Sequence, residues 1–185
     1  MTRIEFFVPG KPRPQTRQKF RVAQRRGASG GKPGDYVPIP YGDSTGKEKS
    51  RVASICLAAM AKASAVMHNG PVALLVNAHF HVPTSLSKRE AASRVWHTQK
   101  PDADNLLKLV KDALTGVAWH DDAQVFAPYP IKTWSREHEG VEVVILQLDP
   151  APEKAVEEWQ AMVREVNLFL WHAGQDLAER LEVRP

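Results

Sequence analysis

The stretch from Lys100 to Val125, KPDADNLLKLVKDALTGVAWHDDAQV, holds carboxylates at two places. Asp102 and Asp104 stand near its start, and Asp121 and Asp122 form an adjacent pair near its end. If three such ionised groups converge, they repel one another by about 4 kcal/mol per close pair at an effective dielectric near 20. A divalent cation offsets that repulsion, and oxygen ligands in this number suit Mg²⁺ or Mn²⁺ better than zinc. Such an ion activates water and stabilises charge on a phosphate, so the pattern is typical of phosphate-ester hydrolysis.

The same residues also fit a purely structural interpretation. Asp102 or Asp104 can cap a helix, and Lys108 can pair with the acid one turn before it. The pair Asp121-Asp122 can form an ordinary turn. Convergence in space cannot be deduced from spacing along the chain, so both interpretations stay open at this point.

A helix is the element that must position these acids. Pro101 favours an extended conformation for Lys100, so we expect the helix to begin at Asp102 or Asp104. Apolar residues then recur at helical spacing and make one buried face: Leu106, Val110, Ala113, Leu114 and Val117. Gly116 loosens the end of this helix, and a strand pattern resumes at residues 124–126.

The rest of the chain predicts further strands and helices. Residues 4–8 form a strand that Pro9 and Gly10 end, and the capping box of Thr45 and Glu48 begins a helix over about 46–66. The alternating run 71–82 predicts a strand with one buried face, and residues 87–96 predict a short helix that starts with a second capping box.

Positive charge is concentrated at the amino-terminal side of the chain. The net charge is +4, yet residues 1–51 carry 12 Lys or Arg against 4 Asp or Glu. Residues 10–43 hold most of these cations amid Gly and Pro, which predicts a long, mobile, basic loop. Such a segment is typical of a protein that binds a polyanion, most commonly the phosphate backbone of nucleic acid. A solvated surface is the alternative that charge alone leaves open.

Composition excludes several other classes of protein. The single cysteine, Cys56, excludes an intramolecular disulfide and a zinc site built on several thiolates, and its apolar helical pattern predicts a core position. His79 and His81 share one face of a predicted strand, but no thiolate or third nearby histidine completes a transition-metal site. No apolar run has the length of a bilayer span and no signal peptide opens the chain, so we expect a soluble, cytoplasmic protein.

The string KPDADNLLKLVKDALTG followed by HDDAQV resembles the signature of the RusA family of Holliday junction resolvases, in which Asp-x-Asp-Asn-Leu opens a helix and Asp-Asp-x-Gln follows it. The resemblance covers about residues 1–149 and implies an α/β (α+β) fold, a small mixed sheet with helices packed on it. It also implies that Asp102, Asp104 and Asp122 are essential metal-binding acids, that Lys108 is catalytic, and that Asp121 is an extra ligand.

The activity that this resemblance implies is metal-dependent, structure-selective cleavage of Holliday junctions and related branched DNA. Paired phosphodiester hydrolysis by a homodimer would leave 5′-phosphates and 3′-hydroxyls, with Mg²⁺ as the cofactor and Mn²⁺ as a substitute. Proteins of this family often come from bacteriophages or prophages. Candidate DNA contacts are the basic residues around the loop and the acidic stretch: Lys11, Arg13, Arg17, Lys19, Arg21 and Lys100.

Residues 150–185 depart from the family pattern. Apolar residues at three- and four-residue spacings after Pro152 predict an amphipathic helix, in the order Val156, Trp159, Val163, Val166, Leu170 and Ala173. This extension carries 4 Lys or Arg against 7 Asp or Glu, which argues against DNA contact. We therefore expect the extension to pack on the core or on a dimer partner.

Two functions from other classes remain as alternatives. One is a catalytically silent protein that binds branched DNA, in which the acids are structural. The other is a metal-dependent hydrolase of small phosphorylated substrates, which leaves the basic segment unexplained.

Overall fold

The computed structural model describes residues 1–16, 19–24, 36–41, 45–85, 96–149 and 151–180, without the side chains of 19–21, 24, 39–41, 152, 155 and 173–180. These residues form six strands and three α-helices. In chain order they are β1 (Thr2–Pro9), β2 (Lys19–Gln24), β3 (Tyr36–Tyr41), α1 (Gly46–Lys62), β4 (Val72–His81), α2 (Ala103–Leu114), β5 (Val125–Ser135), β6 (Gly140–Gln147) and α3 (Ala155–Arg180).

A mixed four-stranded sheet is the centre of the molecule, with strand order β1-β6-β4-β5. Strand β6 runs antiparallel to both β1 and β4, whereas β4 and β5 are parallel. Two parallel strands require a crossover connection, and α2 lies within that connection. The expected α/β (α+β) fold with a small mixed sheet is therefore confirmed.

Helices α1 and α2 cover one face of this sheet. Cys56 of α1 is completely buried there, and burial raises the pKa of its thiol to about 12. This confirms the predicted core position of the cysteine. Both helices pack against alternate residues of β1, β4 and β6, and the largest contributors are Ile4, Leu74, Leu114, Trp119 and Ile145.

Helix α3 covers the opposite face, which confirms that the carboxy-terminal extension packs on the core. Of the predicted residues, Val163 and Val166 pack on the sheet, whereas Val156 and Trp159 are exposed. Met162 and Phe169, which were not predicted, are also buried there. The helix carries two adjacent apolar stripes, and spacing alone did not distinguish the stripe that contacts the sheet. Because α3 lies on this face, β4 is buried on both sides, not on one as predicted.

The basic segment 10–43, which the sequence predicted to be a long, mobile loop, contains two strands among its described residues. Strands β2 and β3 pair antiparallel within it and form a second, two-stranded sheet. The prolines of this segment favoured a loop in the sequence. Pro38 and Pro40 are two residues apart in β3, so the two missing N–H groups fall on the same side of the strand. The other side of β3 remains free to pair with β2, as is usual for proline in an edge strand.

Helix α1 begins at Gly46 as expected but ends at Lys62, before the predicted end near residue 66. Ser64 has a φ of 51°, a left-handed conformation that no helix continues through. Thr45 forms no side-chain cap, because its backbone is helical (φ −93°, ψ −7°) whereas a capping residue is extended. Of the short helix predicted over 87–96, residues 87–95 lie outside the described part of the chain.

Candidate functional site

Asp102 and Asp104 lie at the amino-terminal end of α2. Asp102 occupies the N-cap position with an extended backbone (φ −72°, ψ 145°), yet its side chain makes no capping hydrogen bond. Both acids and Lys108 are exposed. Lys108 forms no ion pair with any described residue, so neither capping nor an Asp104–Lys108 salt bridge accounts for these side chains.

The turn before Asp102 is held in place from β5. The Lys132 ammonium donates hydrogen bonds to the carbonyl oxygens of Gln99, at 2.7 Å, and Pro101, at 2.8 Å. Its own carbonyl accepts from the backbone N–H of His97. The half-buried Lys132 thus fixes the backbone on both sides of Lys100, immediately before the first acid.

His97 lies beneath the same turn in an aromatic stack. Its ring is 3.9 Å from the ring of Phe80 and 4.3 Å from the ring of Trp134, measured between centroids. Burial lowers the pKa of His97, and the charge of Lys132 lowers it further. His97 Nδ1 is buried and has no hydrogen-bond partner within the described part of the chain. The neutral ring therefore acts as an apolar support for the turn.

A cavity of about 680 Å³ opens beside Asp102. It is formed by two segments that are far apart in the sequence, one that leaves β1 and one that leads into α2: Lys11, Pro12, Arg13, Pro14 and Gln15, then Lys100, Pro101, Asp102 and Asn105. Gly10, with a φ of +93°, turns the chain out of β1 toward this cavity. Three cations and one carboxylate thereby line the same cavity.

Asp121 and Gln124 lock the turn that carries Asp122. Asp121 Oδ1 accepts a hydrogen bond from the Ala123 N–H, and Gln124 Oε1 accepts one from the Asp121 N–H, so the two residues form a capping box. Gln124 Nε2 donates to the carbonyl oxygens of His68 and Gly70, which anchors the turn to the core. Asp121 thus caps this turn, a structural role that differs from its predicted role as an extra metal ligand.

Asp122 lies at the opposite end of α2 from the first two acids. Its carboxylate accepts a hydrogen bond from the Thr115 hydroxyl and lies 3.9 Å from Lys111 Nζ. The 12 residues of α2 rise about 1.5 Å each, so roughly 18 Å separates the two ends. Ligand bonds to Mg²⁺ are only about 2 Å long, so Asp122 of a chain cannot share an ion with that chain's Asp102 and Asp104.

The described residues agree with this separation, since no group of three or more His, Cys, Asp or Glu among them is arranged to hold a metal ion. The carboxylates are suitable ligands in chemical type, but a single chain does not assemble them into one set. The convergence of acids that the sequence analysis considered is therefore absent within one chain.

The six predicted DNA contacts have different outcomes. Lys11, Arg13 and Lys100 line the cavity beside Asp102. Lys19 and Arg21 lie in β2, but their side chains are outside the described part of the structure, as is Arg17 altogether.

The two histidines of β4 belong to a different region, on the face that α3 covers. His79 is buried, with Nδ1 3.1 Å from the Thr133 hydroxyl and Nε2 3.5 Å from Glu142. It lines a second cavity of about 600 Å³ that includes neither Asp102 nor Asp122. His81 is exposed, so the described residues give no support to a site built on the two histidines.

Sequence reasoning missed three residues of the site. Lys132, His97 and Asn105 hold the acidic turn or line the cavity, and of these only Asn105 belonged to a recognised motif, Asp-x-Asp-Asn-Leu. Lys132 and His97 carried no sequence signal, because their importance comes from pairing between segments that are distant in the chain.

One acid, Asp102, thus lies in an open cavity that three cations also line. A family model described as "Endodeoxyribonuclease RusA" matches residues 9–146, ending before α3. The chain therefore belongs to the RusA endodeoxyribonuclease family.

Similarity to an individual protein is more limited. An 85-residue segment is 39% identical to "Uncharacterized protein YqaN" of Bacillus subtilis (strain 168), which is 43% of this chain and 59% of that protein. The chain thus matches somewhat more than half the length of this relative.

No described helix combines the length and apolar character that a membrane span requires.

Proposed function

We propose that this protein is a metal-dependent, structure-selective endonuclease that resolves Holliday junctions and related branched DNA by paired phosphodiester hydrolysis. The observation that carries the proposal is the cavity that Lys11, Arg13 and Lys100 line together with Asp102. The cations bind the phosphate backbone beside the acid. Each lysine or arginine that contacts a phosphate releases condensed counterions from the DNA, and this release favours binding. Membership of the RusA family supports the same reaction.

The proposed cofactor is Mg²⁺, with Mn²⁺ as a substitute, since carboxylate oxygens are the ligands that these ions prefer. When bound, the ion would activate water and stabilise charge on the phosphate. Asp102 and Asp104 supply two carboxylates that form no ion pair with any described residue. Lys108, one turn after Asp104 on α2, is proposed to contact the scissile phosphate or to hold a carboxylate in place.

A homodimer explains how Asp122 takes part despite its distance along α2. If two subunits bring their α2 helices together antiparallel about a two-fold axis, the amino-terminal end of each helix meets the carboxy-terminal end of the other. Asp102 and Asp104 would then lie near Asp122 of the partner subunit. A two-fold interface makes two equivalent sites, one for each strand that is cut in a junction.

A nicking assay on a four-way junction with Mg²⁺ tests the proposed function. Asp102→Asn keeps the size of the side chain but removes its charge, so it should lower cutting at least about 10²-fold, as is typical when one transition-state-stabilising group is lost. Binding to the junction in a mobility-shift assay should persist. Glu157→Gln, an exposed change on α3, is the matched control and should cut as wild type does.

The alternatives give different outcomes in the same assay. A silent DNA-binding protein would bind the junction but leave it uncut with either metal. A hydrolase of small substrates would release phosphate from nucleotides without DNA, and Arg13→Ala would then leave its rate unchanged.

A further inference from the structure

We propose that the cavity beside Asp102 receives one unstacked nucleotide of the branched DNA, and that the Asn105 side chain reads its base. This inference rests on the proposed function and adds to it a source of both structural and sequence selectivity. It places a binding pocket next to the acid, not merely a patch of positive charge.

The cavity is built from two segments that are joined to each other. The Gln15 N–H donates to the Asn105 carbonyl at 2.8 Å, which ties the segment after β1 to the first turn of α2. The Thr45 hydroxyl lies 3.4 Å from Gln15 Oε1, which connects the same segment to the start of α1. The walls are therefore held by two of the helices that pack on the sheet.

The lining suits a nucleotide. Three proline rings, from Pro12, Pro14 and Pro101, offer apolar surface against which the faces of a base can pack, while the neighbouring cations suit its phosphates. The volume of about 680 Å³ lies within the roughly 300–1,000 Å³ that is typical of small-molecule sites.

Asn105 is the neutral hydrogen-bonding side chain next to Asp102 in this lining. It is half-buried, and no hydrogen bond joins its amide to another described side chain or carbonyl. A carboxamide both donates and accepts, so it can pair with the edge of a base that carries one donor and one acceptor. Held one turn from Asp102, it reads a base next to the phosphate that is cut.

Such a pocket explains selectivity for branches in physical terms. A base inside a continuous duplex must unpair and unstack before it can enter, whereas a base at a branch point has already lost part of its stacking. The pocket therefore fills most readily at a junction, and the fit of the base to Asn105 makes the rate of cutting depend on sequence.

The first test compares cutting of four-way junctions that differ only in the base beside the cleaved phosphate. Wild-type protein should cut the four junctions at rates that spread roughly 10-fold or more, the usual discrimination of one bidentate contact. Asn105→Ala should compress that spread to about 2-fold. Asn105→Asp, which only accepts, should shift preference toward bases that offer donors. Gln160→Ala, an exposed amide on α3, should leave the spread as in wild type.

The second test detects the unstacked base directly and needs no cutting. A junction with 2-aminopurine at that position is bound to Asp104→Asn protein, which keeps Asn105, and to the same variant carrying Asn105→Ala. Fluorescence should rise severalfold on binding the first protein and should change when the amide is removed.

These outcomes separate the pocket from the proposed function. A wild-type protein that never cuts contradicts the endonuclease proposal, while the fluorescence result still decides the pocket. A protein that cuts with the same base preference after Asn105→Ala and Asn105→Asp, and gives no fluorescence rise on binding, overturns the pocket alone.

Discussion

At the scale of a single side chain, Lys132 shows how a residue can set the position of the site without contacting DNA. Its ammonium donates hydrogen bonds to the carbonyl oxygens of Gln99 and Pro101, so one cation fixes the backbone on both sides of Lys100. Asp102 follows this turn directly. The position of the first acid therefore depends on a lysine from a different strand.

We predict that Lys132→Met lowers kcat by roughly 10- to 100-fold with little change in KM, because misplacing a catalytic group by about 1 Å costs on the order of 10²-fold. Lys132→Arg keeps donors within reach of both carbonyls and should recover most of kcat. Steady-state nicking kinetics of the three proteins measure this, with Lys62→Met at the end of α1 as the control.

Two results would contradict the positioning role of Lys132. A loss confined to KM would show that Lys132 binds DNA, since removing a binding contact weakens substrate and transition state alike. Equal loss in Lys132→Arg and Lys132→Met would show that its two donated hydrogen bonds do not matter.

At the scale of the element, α3 shows that one helix carries two apolar stripes with different roles. Met162 is completely buried between α3 and the sheet, whereas Trp159, one turn earlier on the helix, is 55% exposed. Burial against β4 and β6 is thus concentrated in the stripe of Met162, Val166 and Phe169. The second stripe contributes far less to the folded subunit.

We predict that Met162→Ala lowers the free energy of unfolding by about 2–5 kcal/mol, as is usual when a buried methionine is truncated. Trp159→Ala should change it by less than about 1 kcal/mol despite removing a larger side chain, because it empties no core position. Urea unfolding of both variants checks this. A larger loss for Trp159→Ala would mean that the wrong stripe has been assigned to the core.

The sequence predicted single elements well and their partners poorly. Periodicity placed α2 and β4 within a few residues, because an apolar pattern is a local property of the chain. It did not predict that α3 buries the second face of β4, nor that β2 and β3 pair across a proline-rich segment, because both depend on contacts between distant residues. Likewise, the motif identified Asp102, but the role of Asn105 and the Lys11–Gln15 wall of their cavity appear only in the fold.

At the scale of the whole molecule, the length of α2 determines how the acids can act. Asp102 and Asp104 stand at one end of the helix and Asp122 stands at the other, next to Thr115 and Lys111. A shared ion therefore requires either two chains or no contribution from Asp122. These two possibilities can be separated by placing different substitutions on the two subunits of a dimer.

We predict that Asp102→Asn and Asp122→Asn each abolish nicking as homodimers, whereas a heterodimer of the two recovers about half of the wild-type nicking rate per dimer. In the heterodimer, intact Asp102 and Asp104 from one subunit would meet intact Asp122 from the other, which restores one of two sites. Such a dimer should nick one strand of a junction but seldom cut both. Differently tagged subunits, coexpressed and purified through both tags, provide the sample.

The matched control is a heterodimer of Asp102→Asn with Asp104→Asn. Both substitutions fall at the same end of α2, so every site in this dimer lacks one acid whether sites form within a chain or between chains, and it should remain inactive. If the acids act within one chain, the Asp102→Asn and Asp122→Asn heterodimer will be equally inactive. Full nicking activity of Asp122→Asn on its own would instead show that Asp122 is dispensable, leaving Asp102 and Asp104 as the acids of the site.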